Sequence, residues 1–252
     1  MAGHSHWAGI KHKKAIVDAK KGKLFSKAAR HIMSAARQGA GDPDLNLKLY
    51  YAIQEARAVN MPADNIERAI KKGTGELVGE AISECLYEGY APGGVALLIE
   101  IMTDNRHRTA GEVRKIFDRK GGKLGESGCV AWMFEARGLL SFPAADVTED
   151  RLLEAALEAG ADDVRTEGDA RVVSCDPKSL ESVRASLAGA GLRPEKVQLI
   201  PVPQNRVPIE DEETARKVLD LCQELDDHDD VQNVYANFEI PEAVLGRLQG
   251  SE

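Results

Sequence analysis

The spacing of apolar residues changes near residue 75, and the change divides the chain. From Lys23, the residues Phe25, Ala28, Ile32 and Ala36 recur at i, i+3, i+7 and i+11, one face of a helix. Lys27, Arg30, His31, Ser34 and Arg37 occupy the other sides, and Gly39 and Gly41 stop the pattern. Asp42-Pro43-Asp44 reads as a helix start, an Asp cap with Pro in the first helical position. Leu45, Leu49, Ala52, Ile53 and Ala56 then line a face. A third helix opens near Met61-Pro62 and runs through Ile66 and Ile70. It carries Lys71 and Lys72 at the negative end of its dipole and is closed by Gly73. Three short amphipathic helices predict a small bundle.

Beyond Gly75 the period is that of strands. Residues 82–90 and 95–103 are strand-like and are joined by the turn signal Ala91-Pro92-Gly93-Gly94. Residues 106–120 are helical, and 129–135 return to strand. A new unit follows: strand 138–142, helix 148–159, strands near 164–166 and 171–174, helix 178–188, strand 196–202. That β-α-β-β-α-β order is the split-βαβ, or ferredoxin-like, order. A helix over 211–225 and a strand over 231–238 remain, and the nearest incomplete sheet is that of residues 82–135. The fold class expected is therefore α+β multidomain: an N-terminal three-helix bundle plus two α/β (ferredoxin-like) domains, one inserted in the other. The expected boundaries are 1–79 for a basic arm and bundle, and 80–136 with 203–240 for a discontinuous domain. Residues 137–202 form the inserted domain and 241–252 a tail.

Charge changes the picture more than composition does. The 252 residues are 43% hydrophobic and 29% charged, as in globular proteins. The net charge of −8 conceals an asymmetry. Residues 1–75 hold 14 Lys/Arg against 6 Asp/Glu, a net +8, and the remainder holds 19 against 35, a net −16. The first forty residues carry nine Lys/Arg and a single acid, Asp18. A basic head on an acidic body suggests a polyanionic partner for the head and solubility for the body. The longest apolar run, 95–102, is broken by Glu100 and is too short to span a bilayer. No apolar core of a secretory signal follows the basic start. The expectation is a cytoplasmic, monomeric protein with no membrane partner. Cys85, Cys129, Cys175 and Cys222 lack metal-ligand spacing and read as reduced thiols.

The arm reads His4-Ser5-His6-Trp7-Ala8-Gly9-Ile10-Lys11-His12-Lys13-Lys14. Lysines neutralise phosphate, while a tryptophan and imidazoles can stack on unpaired bases. Lys20, Lys21, Lys23, Lys27 and Arg30 continue the charge. Arg106, Arg108, Lys115 and Arg119 form a second basic stretch on a helix, either a further phosphate-contacting face or a solvated one. Asp226-Asp227-His228-Asp229-Asp230 lacks the pattern of a calcium loop and, lying between a helix and a strand, reads as a turn. The glycine-rich pieces match neither a dinucleotide fingerprint nor a Walker sequence. No catalytic residue, cofactor, metal site or small-molecule substrate is assigned.

Four stretches are specific enough to carry a resemblance: MAGHSHWAGIKHKKAIVDAKKGKLFSK, NMPADNIERAIKKGTGE, YEGYAPGGVALLIEIMTDNRHRT and DDHDDVQNVYANFEI. Together they closely resemble the YebC/PmpR family. The family usually has Lys where this chain has His6 and Asn where it has Gly9, so one positive charge at the arm tip is missing. The resemblance implies three domains, with one α/β domain inserted in the other, and no catalytic residues. It implies one of two roles: a ribosome-associated factor contacting rRNA or tRNA and easing stalled synthesis, or a regulator binding promoter DNA. An arm with Trp7 and three histidines, without an evident recognition helix, suits structured or unpaired RNA better than duplex reading.

Overall fold

The computed structural model describes residues 21–78 and 82–250. The arm residues His4, His6, Trp7, Lys11, His12, Lys13, Lys14 and Lys20 lie outside the described residues, as does the side chain of Lys21. Helices alternate with two four-stranded sheets and a small parallel pair in the α+β manner the sequence predicts. The described chain divides into two compact units: residues 21–78 and 82–129 with Glu213–Val234, and Val130–Glu212 with residues 235–250.

In the first unit, α1 (Lys21–Gln38), α2 (Leu47–Ala58) and α3 (Ala63–Thr74) form the expected bundle. Ala28, Ile32, Ala36, Leu49, Ala52, Ile53, Ala56 and Ile66 are buried together at its centre. The helix starts and stops differ from expectation. Asp42-Pro43-Asp44 forms a turn rather than a cap: the Leu45 N–H donates to Asp42 O at 3.1 Å, and the Asp44 N–H donates to Asp42 Oδ1 at 2.9 Å. Leu45, expected on the buried face, is 78% exposed. The cap is Asn46, whose Oδ1 accepts from the Leu49 N–H at 3.1 Å. Its Nδ2 donates to Ala35 O and Ala40 O, each at 2.8 Å, so one buried side chain ends α1 and starts α2. Gly73 does not close α3. Gly75 does, with φ +84°. Gly73 lies inside the helix because a Cβ there would stand 2.6 Å from Met33 O and 2.8 Å from Ala36 Cβ, so α1 and α3 meet backbone to backbone.

The same unit holds a sheet in the order β3-β1-β2-β9, with β1 Ser83–Ala91, β2 Val95–Thr103, β3 Lys123–Leu124 and β9 Val231–Ala236. β1 and β2 pair antiparallel from Ser83↔Thr103 to Ala91↔Val95 around the Pro92–Gly94 turn. Helix α4 (Arg106–Arg119) buries Val113, Ile116 and Phe117. Helix α7 (Glu212–Asp226) buries Val218, Leu221, Cys222 and Leu225. Burial, with the nearby Asp226 carboxylate, pushes the Cys222 thiol well above its ordinary range, which leaves it a core residue.

In the second unit, β4 (Phe134–Pro143), β5 (Asp163–Glu167), β6 (Ala170–Cys175) and β7 (Lys196–Pro203) stand in the order β5-β6-β4-β7, with every neighbour antiparallel. Helices α5 (Glu149–Glu158) and α6 (Leu180–Gly189) complete the β-α-β-β-α-β order. Leu140, Phe142, Leu152, Val173, Val183 and Leu187 form the core. The two strands expected at 129–135 and 138–142 are one, β4, preceded by a 3₁₀ turn at Ala131–Met133. The strand expected over 231–238 is broken at Asn237. Its last residues form β10 (Phe238–Glu239), which pairs in parallel with β8 (Val207–Pro208), and helix α8 (Glu242–Gly250) follows. These packing units group the bundle with the first sheet, and residues 203–212 and 235–240 with the second.

Gly73→Ala should destabilise the protein by about 2 kcal/mol, overpacking outweighing a gain in helix propensity of roughly 1 kcal/mol. Urea unfolding checks it; a stabilised variant would mean that α1 and α3 can move apart at no cost.

Candidate nucleic-acid interface

α1 lies with its polar side toward the turn that links α7 to β9, and the two are joined by charge. Lys27 Nζ donates to Asp226 O at 2.9 Å and to Asp226 Oδ1 at 3.3 Å. Arg30 donates through Nη1 to Asp229 O at 2.7 Å and through Nη2 to Asp230 Oδ1 at 2.8 Å. Lys23 Nζ stands 3.5 Å from Asp227 Oδ1. Residues 227–230 form the turn the sequence predicts, and Asp226 is the last residue of α7. What the sequence hid is that these acids pair with Lys23, Lys27 and Arg30, three of the basic residues assigned to phosphate.

Asp230 is the centre of this arrangement and is 2% exposed. Its Oδ2 accepts from Arg108 Nη2 at 2.7 Å, Thr109 Oγ1 at 2.6 Å and Thr103 Oγ1 at 3.1 Å. Its backbone carbonyl accepts from the Met102 N–H at 2.9 Å. Burial would push the carboxyl up. The hydrogen bonds from Thr109, Arg108 and Thr103, with the charge of Arg30, outweigh burial and hold it below the usual aspartate range.

Glu112, His228 and Asp230 each place one ligand atom within 4.8 Å of the others. Their bonding does not fit a metal. The Asp230 N–H donates to His228 Nδ1 at 3.1 Å, so the neutral ring carries its proton on Nε2, which donates to Glu112 Oε2 at 3.0 Å. The lone pairs of Asp230 already face a guanidinium and hydroxyls.

The remaining candidates divide in the same way. Arg108 also meets Asp104 at 2.8 Å, and Arg119 pairs with Glu224. Arg106 donates to a backbone carbonyl, Glu84 O, at 3.2 Å, and to no side chain among the described residues. Lys115 and Arg114 are exposed, and among the described residues neither forms an ion pair. The structure therefore brings Lys23, Lys27, Arg30 and Arg108 together around Asp226–Asp230 and leaves Arg106 and Lys115 outside that cluster. Partners about 200 residues apart in sequence leave no local signal; only the unusual run of acids hinted at them.

These features define a multidomain α+β protein whose basic helix is neutralised by its own acidic turn. A family model described as "TACO1/YebC protein N-terminal domain" matches residues 5–76, and one described as "TACO1/YebC second and third domain" matches residues 82–238. A "Probable transcriptional regulatory protein" of Halothermothrix orenii is 53% identical over 98% of this chain and 99% of its own. One of the same name from Aquifex aeolicus is 52% identical over 98% and 100%. The crystal structure of a conserved hypothetical protein from Aquifex aeolicus superposes with a TM-score of 0.84 at 52% identity, covering 94% of this chain and 98% of that one. The chain belongs to the TACO1/YebC family, the YebC/PmpR family of the sequence resemblance. Among the described residues, no helix is long and apolar enough to cross a membrane.

Asp230→Ala should cost about 3 kcal/mol of stability, the loss expected when one partner of a buried pair is removed, measured by chemical denaturation. The folded-state pKa of Asp230 is depressed, so its contribution is complete above the unfolded value of about 3.9 and fades as pH falls through the lower folded value. The Asp230→Ala deficit should therefore shrink in strong acid; a deficit independent of pH down to about 2 would remove the carboxylate from this role.

Proposed function

We propose that this protein is a non-enzymatic, nucleic-acid-binding regulator of gene expression, acting in the cytoplasm as a monomeric, ribosome-associated translation factor. It would contact rRNA or tRNA and ease stalled synthesis. The observation that carries this reading is the division of charge: nine Lys/Arg and one acid in the first forty residues, ahead of a body of net −16. The pairing of Lys27, Arg30 and Arg108 with acids shifts the expected phosphate contacts. They fall on the arm, from His4 through Lys14 and Lys20, and on Arg106, Arg114 and Lys115 of α4. Lys27 and Arg30 then serve the fold, and Arg119 keeps to Glu224. The division into three domains with one inserted belongs to the same proposal. The family descriptions, which speak of an N-terminal, a second and a third domain, support it.

The second reading is a transcriptional regulator on promoter DNA, favoured by the names of the relatives. The arm favours RNA: a tryptophan among lysines and histidines can stack on unpaired bases, whereas duplex reading needs several side chains presented to base edges.

Replacing Lys11, Lys13 and Lys14 with Ala should weaken binding to all sequences alike and flatten its salt dependence. With about six phosphates neutralised, the parent slope of log affinity on log salt should be about −4 for single-stranded RNA and about −5 for duplex DNA. Unchanged binding of the triple variant would leave the arm a solvated segment. With ribosomes and a promoter fragment offered together at physiological salt, the parent should prefer ribosomes, and Trp7→Ala should lose part of that preference. A DNA footprint kept in the presence of ribosomes, indifferent to Trp7, would select the promoter reading.

A further inference from the structure

Two helices of the bundle carry matching polar stripes that none of the contacts above uses. Lys48, Tyr51 and Glu55 of α2 fall at i, i+3 and i+7, and Ser34 and Gln38 of α1 at i and i+4. With Glu84 of β1 they line a hollow of 310 Å³. That is the low end for ligand sites, suited to one flat ring system rather than to a duplex or a peptide segment.

The polar groups of the hollow are already held in place. Ser34, itself buried, donates its hydroxyl to Glu84 Oε1. Gln38 Nε2 donates to the same oxygen at 2.9 Å, and Lys48 Nζ donates to Gln38 Oε1 at 2.8 Å. Among the described residues, one oxygen of Glu84 is anchored and the other accepts no hydrogen bond. The Glu55 carboxylate is likewise exposed, with no hydrogen-bond partner among them. The Tyr51 ring is 43% exposed and meets Tyr50 edge-on, with centroids 5.5 Å apart and planes at 76°.

We infer that this hollow receives a single unpaired guanine base of the bound nucleic acid, an inference that rests on the nucleic-acid reading above. Aromatic faces stack on bases of any kind; the carboxylates make the choice. Guanine alone among the common bases presents two adjacent N–H donors, N1 and N2, on its Watson–Crick edge, and a carboxylate accepts such a pair with its two oxygens. Guanine's own acceptor, O6, lies beside that pair, whereas adenine, cytosine and uracil set an acceptor next to their one donor group, so the second carboxylate oxygen meets a repelling lone pair. Two carboxylates also keep phosphate out of the hollow, so the base enters and the backbone stays at the rim near Lys48. The Lys48 ammonium at the same rim opposes entry of a lysine or arginine from a protein partner.

The test uses the full chain and fluorescence anisotropy with short labelled oligouridylates carrying one central guanine, inosine or adenine. Guanine should bind about tenfold tighter than adenine or plain uridine, the scale of one stacked and hydrogen-bonded base. Inosine, which lacks the 2-amino group, should fall between. Tyr51→Ala and Glu55→Gln, both at exposed positions, should bring the guanine affinity down to the uridine level with an unchanged thermal transition. Equal binding of all four by the parent, with ordinary salt dependence, overturns the guanine site and leaves the nucleic-acid reading standing. A guanine preference that survives both substitutions also overturns it, because the base is then read elsewhere. Binding to none of the oligonucleotides overturns both. Should either variant fail to fold, the ranking of guanine, inosine and adenine on the parent decides.

Discussion

One buried carboxylate organises the first unit. Asp230 draws α1 through Arg30, α4 through Arg108 and Thr109, and β2 through Thr103 and the Met102 amide. A buried anion is tolerated only when paired and hydrogen-bonded, and here four donors from three elements reach the carboxylate, while the Met102 amide satisfies the backbone carbonyl of the same residue. Hydrophobic contact alone is non-directional. The bundle's apolar core would tolerate small rotations of α1, whereas a guanidinium spanning Asp229 O and Asp230 Oδ1 fixes both the register and the face that α1 presents. Lys27 and Arg30, two of the cations the sequence assigns to phosphate, are the ones held in this pairing.

Local rules carried the elements far and failed where a second element intervened. The 3.6-residue period located α1, α2 and α3, and the order of elements from residue 138 to 202 identified the split-βαβ sheet, because both signals are written in neighbouring residues. Asp42-Pro43 has the chemistry of a helix start, yet Asn46 is the cap, since only its amide can also close the open carbonyls of Ala35 and Ala40. Gly73 has the chemistry of a helix end, yet it is conformationally ordinary and is required by the approach of α1. The break at Asn237 separates two sheets that no single-strand pattern distinguishes.

The candidate sites show the same limit more sharply. Basic composition pointed to a polyanion, but which cations remain unpaired depends on where Asp226–Asp230 comes to lie. The hollow between α1 and α2 left no trace in the sequence reading. Its residues sit singly among helix-surface positions, and Glu84 arrives from a strand beyond the bundle.

The order in which the chain is made gives the acidic turn a further meaning. Arg30 and Asp230 are 200 residues apart, and the chain passes through the whole of Val130–Glu212 before returning to supply α7 and the turn. Contacts of such separation form late in folding. A growing chain therefore carries the cations of α1 without these partners until residues 226–230 have been made, and any product truncated before residue 226 keeps them so. Arrival of the turn acts as a completion mark: it converts a generally sticky polycation into a molecule whose remaining positive charge lies only where the finished fold has left it.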